Sequence, residues 1–180
     1  FTHSHIHSMK IALLGAGHLG KIHLKCILAT ECWELAGFYD PDDKNAASAI
    51  AQYGAKRYKS LDKLLAECDA VDIVTPTPSH FKLAAKAMRT GKHVFIEKPV
   101  TQTLHQGREL LRLAALHQVK VQVGHVERFN PALRAALVAG ASAVPVARVW
   151  PTSEPLAVWR SQLGGQARQR RTMGHPPHRA

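Results

Sequence analysis

The sequence predicts an α/β fold, a doubly wound parallel sheet. Three observations point to it: short apolar runs alternate with amphipathic segments from Met9 to about Gly124, capping residues stand between them, and a glycine-rich turn follows the first apolar run. Strand-like runs lie at 10–14, 34–39, 71–75, 93–96 and 119–123, with a short one near 56–58. Helical patterns lie at 18–29, 43–53, 61–67, 79–90 and 103–117. Ser60, Ser79 and Thr103 stand where helix N-caps belong, and Gly91 where a helix should stop. The last helix carries Leu104, Leu111 and a Leu110/Leu113/Ala114 stripe, expected of a face packed on a sheet. Sheets of this kind bind ligands at the carboxyl ends of their strands.

The 180 residues suffice for one full domain, or one domain with a fragment of another. A hydrophobic share of 46% supports a real core, and no apolar run approaches the length of a membrane-spanning helix. Three cysteines, Cys26, Cys32 and Cys68, are odd in number and lack C-x-x-C spacing, so reduced thiols in a cytoplasmic protein are expected and no metal site is. Residues 1–8, with His3, His5 and His7 alternating before Met9, read as a tag-like segment. The net charge of +11 raises a nucleic-acid partner, but the basic residues before Trp150 are spread over several helices without aromatic interleaving. A nucleic-acid partner is therefore not expected, and a moderate positive field suits an anionic small molecule equally well.

The chemistry-bearing motif is Gly15-Ala16-Gly17-His18-Leu19-Gly20, set between the strand-like run 10–14 and the helical segment 18–29. In that setting G-x-G-x-x-G means dinucleotide binding. Gly15 makes the tight turn, Gly17 lets backbone approach a pyrophosphate, and Gly20 lets helix pack on strand. The helix N-terminus, with His18 and Leu19, offers N–H groups and a positive dipole end to the phosphates. Asp40 ends the second strand, twenty residues after Gly20. A carboxylate there accepts hydrogen bonds from ribose hydroxyls and repels a 2′-phosphate, which favours NAD over NADP. The neighbouring Lys44 softens that preference, and the alternative is that Asp40 starts the turn 40–43 or caps the next helix.

Three more polar clusters end strands and should face the same crevice. They are Thr75-Pro76-Thr77-Pro78-Ser79-His80, Glu97-Lys98-Pro99, and Gly124 through Pro131, which includes His125, Arg128 and Asn130. Over roughly Met9 to Arg148 these elements together resemble the Gfo/Idh/MocA family of nicotinamide-dependent sugar oxidoreductases. The stretches Gly17 to His23 and Gly124 to Asn130 are similar to those of members acting on nucleotide sugars.

The resemblance implies a Rossmann domain in which Lys98 sits beside the nicotinamide and bonds the substrate hydroxyl that is oxidised. In a partly desolvated crevice such a lysine can take part in proton transfer. Glu97 would hold Lys98 and touch the cofactor, and Pro99 would enforce a bend through a cis peptide. Thr75, Pro76, Thr77 and His80 would line the nicotinamide half of the NAD site, while Arg128 and Asn130 approach the substrate. The bland alternatives are a surface ion pair for Glu97 and Lys98, and capping or packing for His80, His125 and Arg128. A small-molecule sugar or nucleotide-sugar substrate and a homo-oligomer are expected.

The pattern then breaks. Members of that family carry a second half, an open antiparallel sheet and a helix bearing an Asp and a His. Here no aspartate follows Asp72, and Arg160, Arg168, Arg170, Arg171 and Arg179 face the single acid Glu154 in the last thirty residues. The expected organisation is a dinucleotide-binding domain at 9–131, the start of a truncated second domain at 132–159, and a basic disordered tail at 160–180. Truncation or an out-of-frame 3′ end would account for it. Three functions compete: an NAD(P)-dependent dehydrogenase, a nucleotide-binding module without catalysis, and a basic regulatory or nucleic-acid protein.

Overall fold

Five parallel strands form one sheet in the order β2-β1-β3-β4-β5. The structure, a computed structural model, describes residues 9–138, with side chains to 135. The expectations for the tag-like segment 1–8, the basic tail and most of 132–159 lie outside these residues. The chain divides into a first unit ending at Val126 and a second beginning at Glu127, each described by itself.

In the first unit β1 (Met9–Leu14), α1 (His18–Leu28), β2 (Trp33–Tyr39) and α2 (Asp43–Tyr53) come first, followed by α3 (Leu61–Ala66) and β3 (Ala70–Ile73). Then come α4 (Thr77–Arg89), β4 (His93–Ile96), α5 (Leu104–His117) and β5 (Val121–Val123). From β1 the sheet grows one way to β2 and the other way to β3, so the strand order reverses beside β1. That reversal opens a crevice at the carboxyl ends of β1 and β3. The expected strand near 56–58 is a single parallel bridge, Phe38 to Arg57, beyond β2.

Period-2 alternation sends successive side chains to opposite faces. Ile11, Leu13, Phe38 and Ala70 bury with Leu24 and Ile27 of α1 and with Ala46 and Ala49 of α2. Ala12, Leu14, Val71, Ile73, Val94 and Ile96 bury on the other face against α3, α4 and α5. Ser60 and Thr103 cap α3 and α5 by accepting the Lys63 and Gln106 N–H groups, and Gly91 ends the α4 segment at φ +75°.

Two expectations fail here. Ser79 is not an N-cap: α4 starts at Thr77 behind Pro76, with Pro78 in the first turn, where a missing N–H costs nothing. Leu104 and Leu111 do not pack on the sheet. Leu110 and Leu113 face inward at helical spacing, which turns Leu104 and Leu111 to solvent at 70% exposure each. Among the described residues no helix is long and apolar enough to cross a membrane.

Candidate functional site

The glycine turn is built by contacts that only glycine permits. Gly15 takes φ +97° and donates its N–H to Tyr39 O at 2.9 Å, which joins the ends of β1 and β2. A Cβ on Gly20 would collide with the Gly15 carbonyl oxygen, so α1 can lie this close to its own turn only without one. Gly17 is different: a Cβ there would meet nothing nearer than Asn45 Nδ2 at 4.0 Å. It faces an open cradle at the start of α1, where Gly17 is the N-cap and no side chain caps the helix. His18 and Leu19 are exposed beside it. The first turn of α1 thus presents N–H groups and no acidic residue to that space, which suits a pyrophosphate.

Asp40 is buried at the end of β2. Its Oδ2 accepts the Ala16 N–H at 2.7 Å and its Oδ1 the Asp42 N–H at 2.8 Å. The capping role weighed for Asp40 falls to Asp42, which accepts the Asn45 N–H at 2.8 Å. Arg57, which no sequence motif marks, donates to Asp40 O at 2.8 Å and to Asp43 Oδ1 at 2.7 Å. Its hydrogen bond and charge hold the exposed Asp43 carboxyl below the ordinary carboxylate range.

After β3, Thr75 and Thr77 are half-buried and Pro76 is exposed. The Ser79 hydroxyl lies 2.7 Å from both Thr75 Oγ1 and Pro76 O, tightening this turn. His80 lies beneath the loop rather than on its face, at 1% exposure. Its Nε2 is 2.6 Å from Thr75 O and its Nδ1 is 2.9 Å from Pro99 O. The ring therefore spans the two loops that follow β3 and β4.

Glu97 is buried, donates its N–H to Ile73 O at 3.0 Å and accepts the Lys98 N–H on its own Oε2 at 3.0 Å. Gly124 lies against this carboxylate so closely that a Cβ there would strike it. The Lys98–Pro99 peptide is cis. Lys98 itself is exposed, so the described residues do not form the partly desolvated crevice that the sequence suggested around it.

Behind Glu97 lies a pair that sequence reasoning missed. His23 Nδ1 of α1 is 2.8 Å from Asp72 Oδ2 of β3, and its Nε2 is 3.5 Å from Glu97 Oε1. Burial alone would lower the His23 pKa, but the hydrogen bond to Asp72 and the charges of Asp72 and Glu97 outweigh it and raise it. Burial also pushes the Asp72 carboxyl up.

Arg128 and Asn130 belong to the second unit and are described there alone. Asn130 donates from Nδ2 to Glu127 Oε2 at 2.9 Å and accepts the Ala132 N–H at 3.0 Å, at the start of α6 (Pro131–Val138).

A glycine turn at a helix N-terminus, flanked by a strand-end carboxylate at a topological switch point, defines a dinucleotide-binding protein. Residues 9–125 match the model of an oxidoreductase family described as having an NAD-binding Rossmann fold. The chain belongs to this family, Gfo/Idh/MocA. It is 38% identical over 132 residues to UDP-N-acetylglucosamine 3-dehydrogenase of Acidithiobacillus ferrooxidans, covering 73% of this chain and 42% of that protein. A solved structure of that enzyme superposes with a TM-score of 0.68, covering 73% of this chain and 43% of that one. A scyllo-inositol dehydrogenase from Lactobacillus casei, solved with NAD(H) and scyllo-inositol, is 30% identical with a TM-score of 0.67; the match covers 75% of this chain and 42% of that one. The chain thus spans under half the length of these relatives.

Proposed function

We propose that this chain carries the cofactor half of an NAD-dependent dehydrogenase that moves a hydride between a sugar or nucleotide-sugar hydroxyl and a nicotinamide. The observation that carries this is that the Gly17 cradle follows β1 and the Glu97-Lys98-Pro99 turn follows β4, at the carboxyl ends of parallel strands on either side of β3. Bound NAD would supply the hydride acceptor. The α1 N-terminus and the turn from Gly15 to Gly20 would hold its phosphates. Asp40, whose oxygens keep lone pairs beyond those given to Ala16 and Asp42, would accept from the ribose hydroxyls. Its charge disfavours the extra phosphate of NADP.

Thr75, Pro76, Thr77 and Glu97 would border the nicotinamide, with His80 holding their loops from below. Lys98 would bond the reacting hydroxyl and exchange its proton; Arg128 and Asn130, in the second unit, are separate candidates for substrate contact. Support for the substrate class comes from the similar enzymes, one named for UDP-N-acetylglucosamine and one solved with scyllo-inositol.

The exposure of Lys98 favours a second reading, a nucleotide-binding module without turnover. Incubating the protein with NAD and UDP-N-acetylglucosamine or scyllo-inositol while following NADH absorbance separates the two. Turnover lost in Lys98→Met supports the dehydrogenase. Saturable NADH binding without turnover of any sugar supports the module.

A further inference from the structure

Helix α1 does more than supply a phosphate cradle at its N-terminus. Its second turn carries His23 onto the sheet row formed by Leu13, Asp72, Phe95 and Gln122. The ring meets Phe95 edge-on with centroids 6.1 Å apart, bonds Asp72 through Nδ1, and turns Nε2 to Glu97. Asp72 Oδ1 is buried with no hydrogen-bond partner, so the buried carboxylate meets its counter-charge through Oδ2 and His23. The charged groups acting on His23 are Asp72 from β3 and Glu97 after β4; β4 itself contributes the uncharged Phe95 ring.

Asp72 as acceptor fixes which nitrogen keeps its proton. With Nδ1–H given to Asp72, Nε2 can favour the Glu97 carboxylate only when it too is protonated. Once that proton leaves, a lone pair faces Oε1 and the attraction is lost.

We propose that His23 is a positioning residue, an imidazolium oriented by Asp72 that holds the Glu97 carboxylate in place beneath the nicotinamide end of the crevice and so makes cofactor binding sensitive to pH. Glu97 in turn accepts the Lys98 N–H, so the same proton sets the shape of the Glu97-Lys98 turn. This role rests on the nicotinamide-cofactor reading of the site. The raised His23 pKa is consistent with it, because both neighbouring carboxylates favour the charged ring.

The test has two arms on the full chain. In the first, NMR follows the His23 ring nitrogens and the Glu97 carboxyl carbon from acid to alkaline pH. His23 is expected to keep Nδ1–H throughout and to lose its Nε2 proton above the ordinary histidine value of 6.5, with the Glu97 signal moving at the same midpoint. In the second, NADH fluorescence gives affinity over the same range. Affinity should fall roughly three- to tenfold through that midpoint. Asp72→Asn should move both midpoints down together, and His23→Gln should abolish the inflection. A Glu97 signal indifferent to His23, or an NADH affinity that ignores the His23 midpoint, overturns the proposal. If NADH fails to bind at any pH, the cofactor reading fails, and the NMR arm alone still decides whether His23 holds Glu97. If His23→Gln does not fold, the wild-type titration and Asp72→Asn decide it.

Discussion

The carboxylate of Asp40 accepts the Ala16 N–H at 2.7 Å, so the end of β2 clamps the glycine turn from the side. Its other oxygen takes the Asp42 N–H at 2.8 Å. The residue read from the sequence as a ribose acceptor is thus a structural strut, and the proposed ribose contact would use its remaining lone pairs. Asp40→Asn keeps the shape but presents an amide nitrogen to one of the two backbone donors. A buried donor left unsatisfied costs about 1–3 kcal/mol. Urea unfolding should show a loss of that size, and NADH titration should show weaker binding in the same variant.

His80 should matter to the loops more than to the ligand. His80→Ala removes the ring that spans Thr75 O and Pro99 O and leaves two carbonyls facing a cavity. The expected loss is roughly 2–4 kcal/mol, from the unmade hydrogen bonds and the void together. Hydrogen exchange should locate faster opening at residues 75–80 and 97–100, with β1 and β2 changed little.

Much of this was legible in the sequence. The glycine turn, Asp40 and Glu97-Lys98-Pro99 announce themselves because each is local: a turn or strand end whose residue types are dictated by nearby backbone. The caps at Ser60 and Thr103 are legible for the same reason. What stayed hidden joins distant segments. His23 and Asp72 are 49 positions apart and meet only because α1 crosses the row beside β3. Arg57 reaches Asp40 from a stretch that looked like a short strand. The burial of His80 depends on where the turn after β4 comes to rest. The α4 start is earlier than a Ser79 cap would place it, because Pro76 and Pro78 lead its first turn.

Stability should fall as pH rises above neutrality. The folded His23 holds its proton to higher pH than the unfolded chain. Its contribution is therefore complete below about 6.5 and lost as pH climbs through the folded value. Asp72, raised by burial, has the same sign in a more acidic window: its contribution is complete below about 3.8 and lost as pH climbs through its raised folded value. His93 works on the acid side: burial lowers it, so stability is lost as pH falls from 6.5 through its folded value. Thermal unfolding across pH should show the alkaline fall in wild type and its flattening in Asp72→Asn, with the acid limb retained.

The three thiols should react in an order set by burial. Burial pushes the Cys68 thiol up to about 11, leaving almost no thiolate at neutral pH. Cys26 is exposed. Iodoacetamide followed by peptide mass spectrometry should modify Cys26 in the native protein and spare Cys68, and denaturant should abolish the difference.

The most direct measurement is NADH binding by the Gly17→Val variant beside the wild type. Gly17 sits at φ −65°, open to any residue, and a Cβ there has nothing nearer than 4.0 Å to meet. Valine is a poorer N-cap than glycine, so the substitution should cost about 1 kcal/mol of stability and leave the protein folded while filling the cradle over the α1 N-terminus. Saturable NADH binding by the wild type and a loss of at least roughly tenfold in the variant, about 1.4 kcal/mol, are expected. Wild-type affinity in the variant, or no NADH binding by the wild type, would contradict the cofactor reading.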